Sequence, residues 1–134
     1  MISSAGPKKM LRGSCLCGDI TFEVTGDLQS QASACHCQQC RKQSGHHWAS
    51  HNVAPSGIAI TGDVTWYEAS AVAKRGFCAR CGSFLFWKAH DEDQISFALG
   101  ALDGDTELQL ERHIFVADKG DYYDIADGLP QKDQ

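Results

Sequence analysis

The 134-residue chain is short of what it would need to cross a membrane, grip a polyanion or stand as a helical bundle. No stretch approaches the ~20 apolar residues that span a bilayer. Met1 to Ser14 has no apolar core of the kind a secretory signal carries. Basic residues are in the minority, 12 Lys and Arg against 17 Asp and Glu, for a formal net charge of −5. An acidic chain is a poor partner for nucleic acid or anionic lipid, and Lys8, Lys9 and Arg12 are too few to reverse that. No nucleic-acid partner and no membrane partner are therefore expected. Repeats, low-complexity tracts and linkers are missing as well, so nothing marks a second domain. Helical periodicity is weak throughout, with one or two turns over Gln38 to Gln43 as the best candidate.

Cysteine is what the chain has in quantity. Seven fall into three clusters: Cys15-x-Cys17, Cys35-x-Cys37-x-x-Cys40, and Cys78-x-x-Cys81 followed by Gly82. With no export signal, a reducing cytosol is the expected compartment. There, clustered thiols hold metal or do redox work more often than they form disulfides, and an odd number cannot pair completely. The spacings suit a soft tetrahedral cation, zinc above all. Four ligands close a structural site, whereas three leave one position for water or substrate, and seven divides into four and three.

Compactness favours one partition. Cys35, Cys37 and Cys40 can reach a single ion unaided, leaving Cys15, Cys17, Cys78 and Cys81 to complete a four-thiolate site that would join distant parts of the chain. The alternative joins Cys35 and Cys37 to Cys78 and Cys81, and strands Cys40. On a straight strand, residues two apart sit about 6.6 to 6.8 Å from each other, wider than the roughly 3.8 Å between neighbouring sulfurs on zinc. A Cys-x-Cys pair must bend, and Gly18 and Gly82 are placed to permit the bend.

Short strands dominate the remaining pattern. Asp19 to Thr25 alternates, with Ile20, Phe22 and Val24 on one face, and further strand signals fall at Gly57–Thr61, Val64–Glu68, Ser83–Lys88, Ile95–Leu99 and Leu108–Phe115. Gly62-Asp63 and Asp103-Gly104 read as turns. A mostly β single domain with metal-bearing loops is expected. Phe84 and Phe86 are assigned to one core-facing side of their strand, and Trp48 and Trp66 to either core or pocket wall. The tail after Gly120 is expected to dock, with only Pro130 to Gln134 free to fray.

Around the trio lie groups with chemistry of their own. Arg41 and Lys42 can offset the thiolates or attract a substrate carboxylate. His36, between two candidate ligands, and His46, His47 and His51 can complete the metal shell or move a proton.

Three ordered motifs carry a family likeness: Gly13-Ser14-Cys15-Leu16-Cys17-Gly18, then Cys35-His36-Cys37-Gln38-Gln39-Cys40-Arg41-Lys42, then Phe77-Cys78-Ala79-Arg80-Cys81-Gly82-Ser83. With the late His113-Ile114-Phe115 and Asp127-Gly128-Leu129-Pro130, they resemble the glutathione-dependent formaldehyde-activating enzyme family, including its centromere-protein-V-like members. The likeness divides the chain into an N-terminal extension at 1–12, the zinc domain at 13–131 and a tail at 132–134. It implies a β-tent of short antiparallel sheets and two zinc ions per chain. One would be structural, at Cys15, Cys17, Cys78 and Cys81, and one catalytic, at Cys35, Cys37 and Cys40. It also implies a carbon–sulfur lyase type of enzyme, whose family reaction joins formaldehyde and glutathione into S-hydroxymethylglutathione. The late segment reads Lys119-Gly120-Asp121-Tyr122 where relatives often carry tryptophan after the lysine.

The functional expectation is thus a cytoplasmic zinc enzyme acting on a small thiol adduct, with glutathione as the thiol the likeness suggests. Its catalytic group comprises Cys35, Cys37, Cys40 and His36, and Arg41 and Lys42 bind the substrate. The alternative is a non-catalytic zinc-binding interaction module.

Overall fold

Alternating apolar and polar residues organise the chain into two sheets packed face to face. The computed structural model describes residues 10–134; Lys8 and Lys9 lie outside them. Among the described residues the order is β1 (Leu11–Ser14), β2 (Thr21–Val24), β3 (Leu28–Cys35), α1 (Gln38–Ser44), β4 (Trp48–Val53), β5 (Ile58–Thr61), β6 (Thr65–Glu68), β7 (Ala73–Phe77), β8 (Phe84–Ala89), β9 (Ile95–Ala98) and β10 (Arg112–Ile114). A three-stranded sheet runs β1-β2-β5, and a seven-stranded sheet runs β10-β3-β4-β9-β8-β7-β6. The fold is mostly β, in one unit, with the cysteines in loops, at strand ends and, for Cys40, in α1. No helix among the described residues is long and apolar enough to cross a membrane.

One correction concerns direction. β10 lies parallel to β3, not antiparallel. The chain reaches it through a long irregular connection from β9, and a connection of that length, unlike a tight hairpin, can deliver a parallel partner.

The core fills the space between the sheets. Phe22 of the small sheet meets Phe86 edge to face at 5.2 Å, and Val53, Phe86 and Phe97 are 0% exposed. Successive side chains of a strand point to opposite faces. The residues between these core positions are therefore sent to the far face of the large sheet. Register lines them up there: Cys35 opposite Trp48, Ser33 opposite Ser50, Asn52 opposite Ser96, Ser96 opposite Trp87, and Trp87 opposite Arg75. This second face carries the site.

Phe84 and Phe86 do not share a side as the sequence suggested. Gly76 pairs with Phe86 and Phe77 with Phe84, so Leu85 is an extra residue in β8. Such a bulge reverses the alternation. Phe84 consequently stacks on Trp48 at 4.1 Å, while Phe86 enters the core. Trp66 packs towards Phe86, with ring centroids 6.3 Å apart, and is a core residue.

Both ends of the described chain are more integrated than expected. Leu11 and Arg12, read as part of an extension, pair with Val24 and Glu23 in β1 and β2. The final residues follow the free side of β10: Lys132 N–H donates to His113 O at 2.9 Å and Val116 N–H to Lys132 O at 3.0 Å. An open strand edge offers unpaired backbone groups, and the tail satisfies them instead of fraying.

Gly13 shows how tightly β1 sits on the core. A Cβ there would fall 2.2 Å from the Phe22 ring. Gly13→Ala is expected to cost about 1–3 kcal/mol through overpacking. Urea unfolding should report this as a lower midpoint at unchanged slope.

Candidate metal centres and cavity

The first thiol group is made by two matching turns. Gly18 and Gly82 adopt φ of 85° and 82°, a left-handed conformation that glycine enters at no steric cost. Each lets the chain reverse immediately after a cysteine pair, with Gly18 N–H donating to Cys15 O at 3.1 Å and Gly82 N–H to Cys78 O at 2.7 Å. Backbone amides then point at sulfur, Ile20 N–H at 3.3 Å from Cys15 Sγ and Cys81 N–H at 3.5 Å from Cys78 Sγ. The sulfurs converge, at 3.6 Å between Cys15 and Cys17 and 3.7 Å between Cys17 and Cys78. All four lie within 4.8 Å of one another. Neighbouring sulfurs in a tetrahedral zinc–thiolate site are roughly 3.8 Å apart, so these four fit that ion. The Ser83 hydroxyl and amide hold the Cys81 thiol down to about 5.

The second group is Cys35, Cys37 and Cys40, again within 4.8 Å of one another. Cys35 ends β3, and Cys37 caps α1, its Sγ accepting from Cys40 N–H at 3.3 Å. Among the described residues no histidine or carboxylate joins them, so the group consists of three sulfurs. The thiols also compete for charge. Hydrogen bonds from Cys35 first, then from Cys40, with the Cys40 amide and the Arg75 charge, pull the Cys37 thiol down to about 2. The same contact with Cys37 pushes the Cys35 thiol far up. Three sulfurs this close cannot all be thiolates alone; a divalent cation removes the conflict. The donor set fits a zinc ion.

Arg75 is the residue that sequence reasoning missed. It is 5% exposed, donates from Nη1 to Cys40 Sγ at 3.5 Å and reaches Cys37 Sγ from Nη2 at 3.9 Å. Gln39 and Gln43 accept from it at 3.2 and 3.3 Å. A buried guanidinium needs an anion, and the trio is that anion. Arg75→Met should weaken metal binding at the trio by roughly 10- to 100-fold and leave the four-sulfur centre untouched. Chelator competition resolves the two centres, and equal weakening of both would refute the pairing.

The cations that the sequence favoured are placed elsewhere. Arg41 and Lys42 follow Cys40 by one and two residues, which turns them about 100° and 200° around the helix. Arg41 Nη1 donates to Asp118 O at 3.0 Å, and Lys42 is exposed. His36 is also turned away from the trio. It alternates with Cys35 and projects to the opposite side, fully buried. Its Nδ1 is hydrogen-bonded to Tyr123 Oη, and its Nε2 lies 2.9 Å from His113 Nδ1. His113 Nε2 continues to Asp127 Oδ2 at 2.7 Å. Burial above all, then the neighbouring His47 and His113, hold His36 down to about 4. It is neutral at pH 7, with no ring nitrogen free for a metal or reacting group. His46 Nδ1 is bonded to Tyr122 Oη at 2.9 Å, and His51 Nε2 donates to Ser30 O at 3.2 Å.

The trio opens into a cavity of about 320 Å³ on the far face of the large sheet. Trp48 and Trp87 form apolar walls; Arg75 and Arg112 bring positive charge; no aspartate, glutamate or lysine among the described residues lines it. Trp48 is thus a pocket wall where Trp66 is core.

Comparisons with known proteins agree with this arrangement. Residues 10–118 match the family model described as glutathione-dependent formaldehyde-activating enzyme. An uncharacterized lyase of Schizosaccharomyces pombe is 26% identical over 117 residues, covering 85% of this chain and 84% of its own. A Halomonas elongata protein named for glutathione-dependent formaldehyde activation is 29% identical over 129 residues, covering 87% and 81%. A crystal structure of a Rhodobacter sphaeroides protein shares the fold, with a TM-score of 0.60 at 23% identity over 72% of this chain and 91% of that one.

Proposed function

The chain belongs to the glutathione-dependent formaldehyde-activating enzyme family, and we propose that it is a zinc-dependent enzyme of the carbon–sulfur lyase type. It forms or breaks the bond between a small thiol and an aldehyde carbon, as in joining formaldehyde and glutathione into S-hydroxymethylglutathione. The observation that carries this reading is the three-sulfur group, lacking a fourth protein ligand among the described residues and opening into a cavity. The other centre, with four sulfurs, suits a closed structural ion.

Held by Cys35, Cys37 and Cys40, zinc would act as a Lewis acid and lower the pKa of a thiol beside it. The rest falls to the chain. The Arg75 charge favours the thiolate forms of Cys37 and Cys40, and its hydrogen bonds hold both sulfurs in place. Trp48 and Trp87 offer apolar surface to the substrate's carbon skeleton and displace water from it. As the sulfur bonds to the carbonyl carbon, the π pair moves to oxygen. The proton lost by the thiol balances the proton that oxygen gains. No net proton is consumed, which suits a cavity with no carboxylate in its lining.

Elemental analysis should return two zinc ions per chain. In the cobalt-substituted protein, glutathione should shift the visible bands of the trio centre alone. A trio centre indifferent to thiols would sink the enzyme reading and leave a non-catalytic zinc-binding interaction module.

A further inference from the structure

We propose that Arg112 is a carboxylate-recognition residue that restricts this cavity to thiol compounds bearing a carboxylate. This rests on the reading above, that a thiol binds at the trio, and adds what decides which thiol is taken.

Placement comes first. β10 runs beside β3 with Arg112 opposite Ser33 and Ile114 opposite Cys35. Residues two apart on a strand are about 6.6 Å apart, so Arg112 enters the cavity one strand repeat from Cys35, on the same face. Its Nε donates to Ser33 Oγ at 2.7 Å, which fixes the plane of the guanidinium. Among the described residues that is its one polar contact, so both Nη groups remain available.

Charge then selects the ligand. Three thiolates, a divalent ion and Arg75 together are neutral. Arg112 is left as the uncompensated charge of a cavity without an acidic residue, in a protein whose formal net charge is −5. A half-buried guanidinium without a counterion is unfavourable, and the group that matches its fork is a carboxylate. Between trio and Arg112 lie Ser33 and Ile114, with Trp48 and Ser50 across β3, neutral surface suited to a short carbon skeleton. An uncharged thiol would fill that stretch and leave Arg112 unpaired.

The test uses ligands whose sulfur is capped, so that metal coordination does not enter the result. S-methylglutathione and its diethyl ester are titrated into the intact metal-loaded protein, with fluorescence of the cavity tryptophans as readout. The native chain should bind the acid about 10- to 100-fold more tightly than the ester. Arg112→Met should reduce acid binding to the ester's level without changing the ester's. Arg112→Lys, which keeps the charge but loses the fork, should fall between and decides the matter if the methionine variant does not fold. Equal affinity of the native chain for acid and ester, binding of neither, or loss of both ligands together in a folded variant overturns the proposal. A parallel titration of glutathione, which has both a free thiol and carboxylates, into the cobalt protein keeps the two readings separate. Silent cobalt bands with acid selectivity intact would remove the thiol from the metal and leave the Arg112 subsite standing.

Discussion

A chain with serine in place of Cys78 is expected not to fold. Cys78 is 2% exposed and belongs to the main core, and its sulfur is the bridge between the sheets. Cys15 and Cys17 leave the small sheet at the end of β1, and Cys78 and Cys81 occupy the loop between β7 and β8 of the large one. The contact between Cys17 and Cys78 spans 61 residues of sequence. Structural zinc in small domains is worth roughly 10–16 kcal/mol, against a total stability of about 5–15 kcal/mol for an ordinary domain. Losing the centre therefore removes a stabilisation as large as the fold can spare. Serine adds to the damage, because its hydroxyl is a poor ligand for zinc and would be a polar group in apolar surroundings. Cys78→Ser should show no cooperative thermal transition and no near-ultraviolet circular dichroism. Prolonged chelation of the parent protein should reproduce both losses. A variant that melts within a few degrees of the parent would mean the four sulfurs are not the staple of this fold.

The sequence made one sheet face legible and concealed the other, for a physical reason. Ile20, Phe22 and Val24 announce β2 because one side is buried in apolar core and the other meets solvent. β5 and β6 are legible in the same way, whereas β8 and β9 show as apolar-rich runs, with all four residues of β9 buried. β3, β4 and β7 show little alternation. Their non-core face lines a cavity with Ser33, Ser50, Asn52 and Arg75, and part of their core face is alanine, as at Ala32 and Ala34. A strand between a core and a binding cavity thus loses the period-2 signal by which strands are recognised.

The site divides similarly. Cysteine spacing is local, so the two thiol groups could be assembled on paper. Arg75 is 35 residues from Cys40 and comes beside it through strand register, which spacing does not encode. Arg41, Lys42 and His36 were favoured for adjacency in sequence, and helix rotation and strand alternation turn all three away. The weak periodicity that marked Gln38 to Gln43 did locate α1, because Cys37 caps it and Cys40 is held under it.

Cys37→Ser tests the opposite half of the architecture, and its effect should be confined to chemistry. Cys37 is only partly buried and caps α1 by accepting from the Cys40 amide. Serine is among the best helix caps, so the substitution preserves the local hydrogen bond and the volume. What it removes is a soft anionic ligand, and two remaining sulfurs are too few to retain zinc at this position. A Lewis acid worth several kcal/mol is lost with it, so turnover should fall roughly 10³-fold or more. Exchange between free formaldehyde and its glutathione adduct, followed by nuclear magnetic resonance, measures that loss. Bound zinc should drop from two ions per chain to one, while the melting temperature stays near the parent value. If folding collapsed in step with turnover, the trio would be another staple and the assignment of structure to one centre and chemistry to the other would fail. If turnover survived with a single zinc ion bound, the reaction would have to run somewhere other than beneath Trp48.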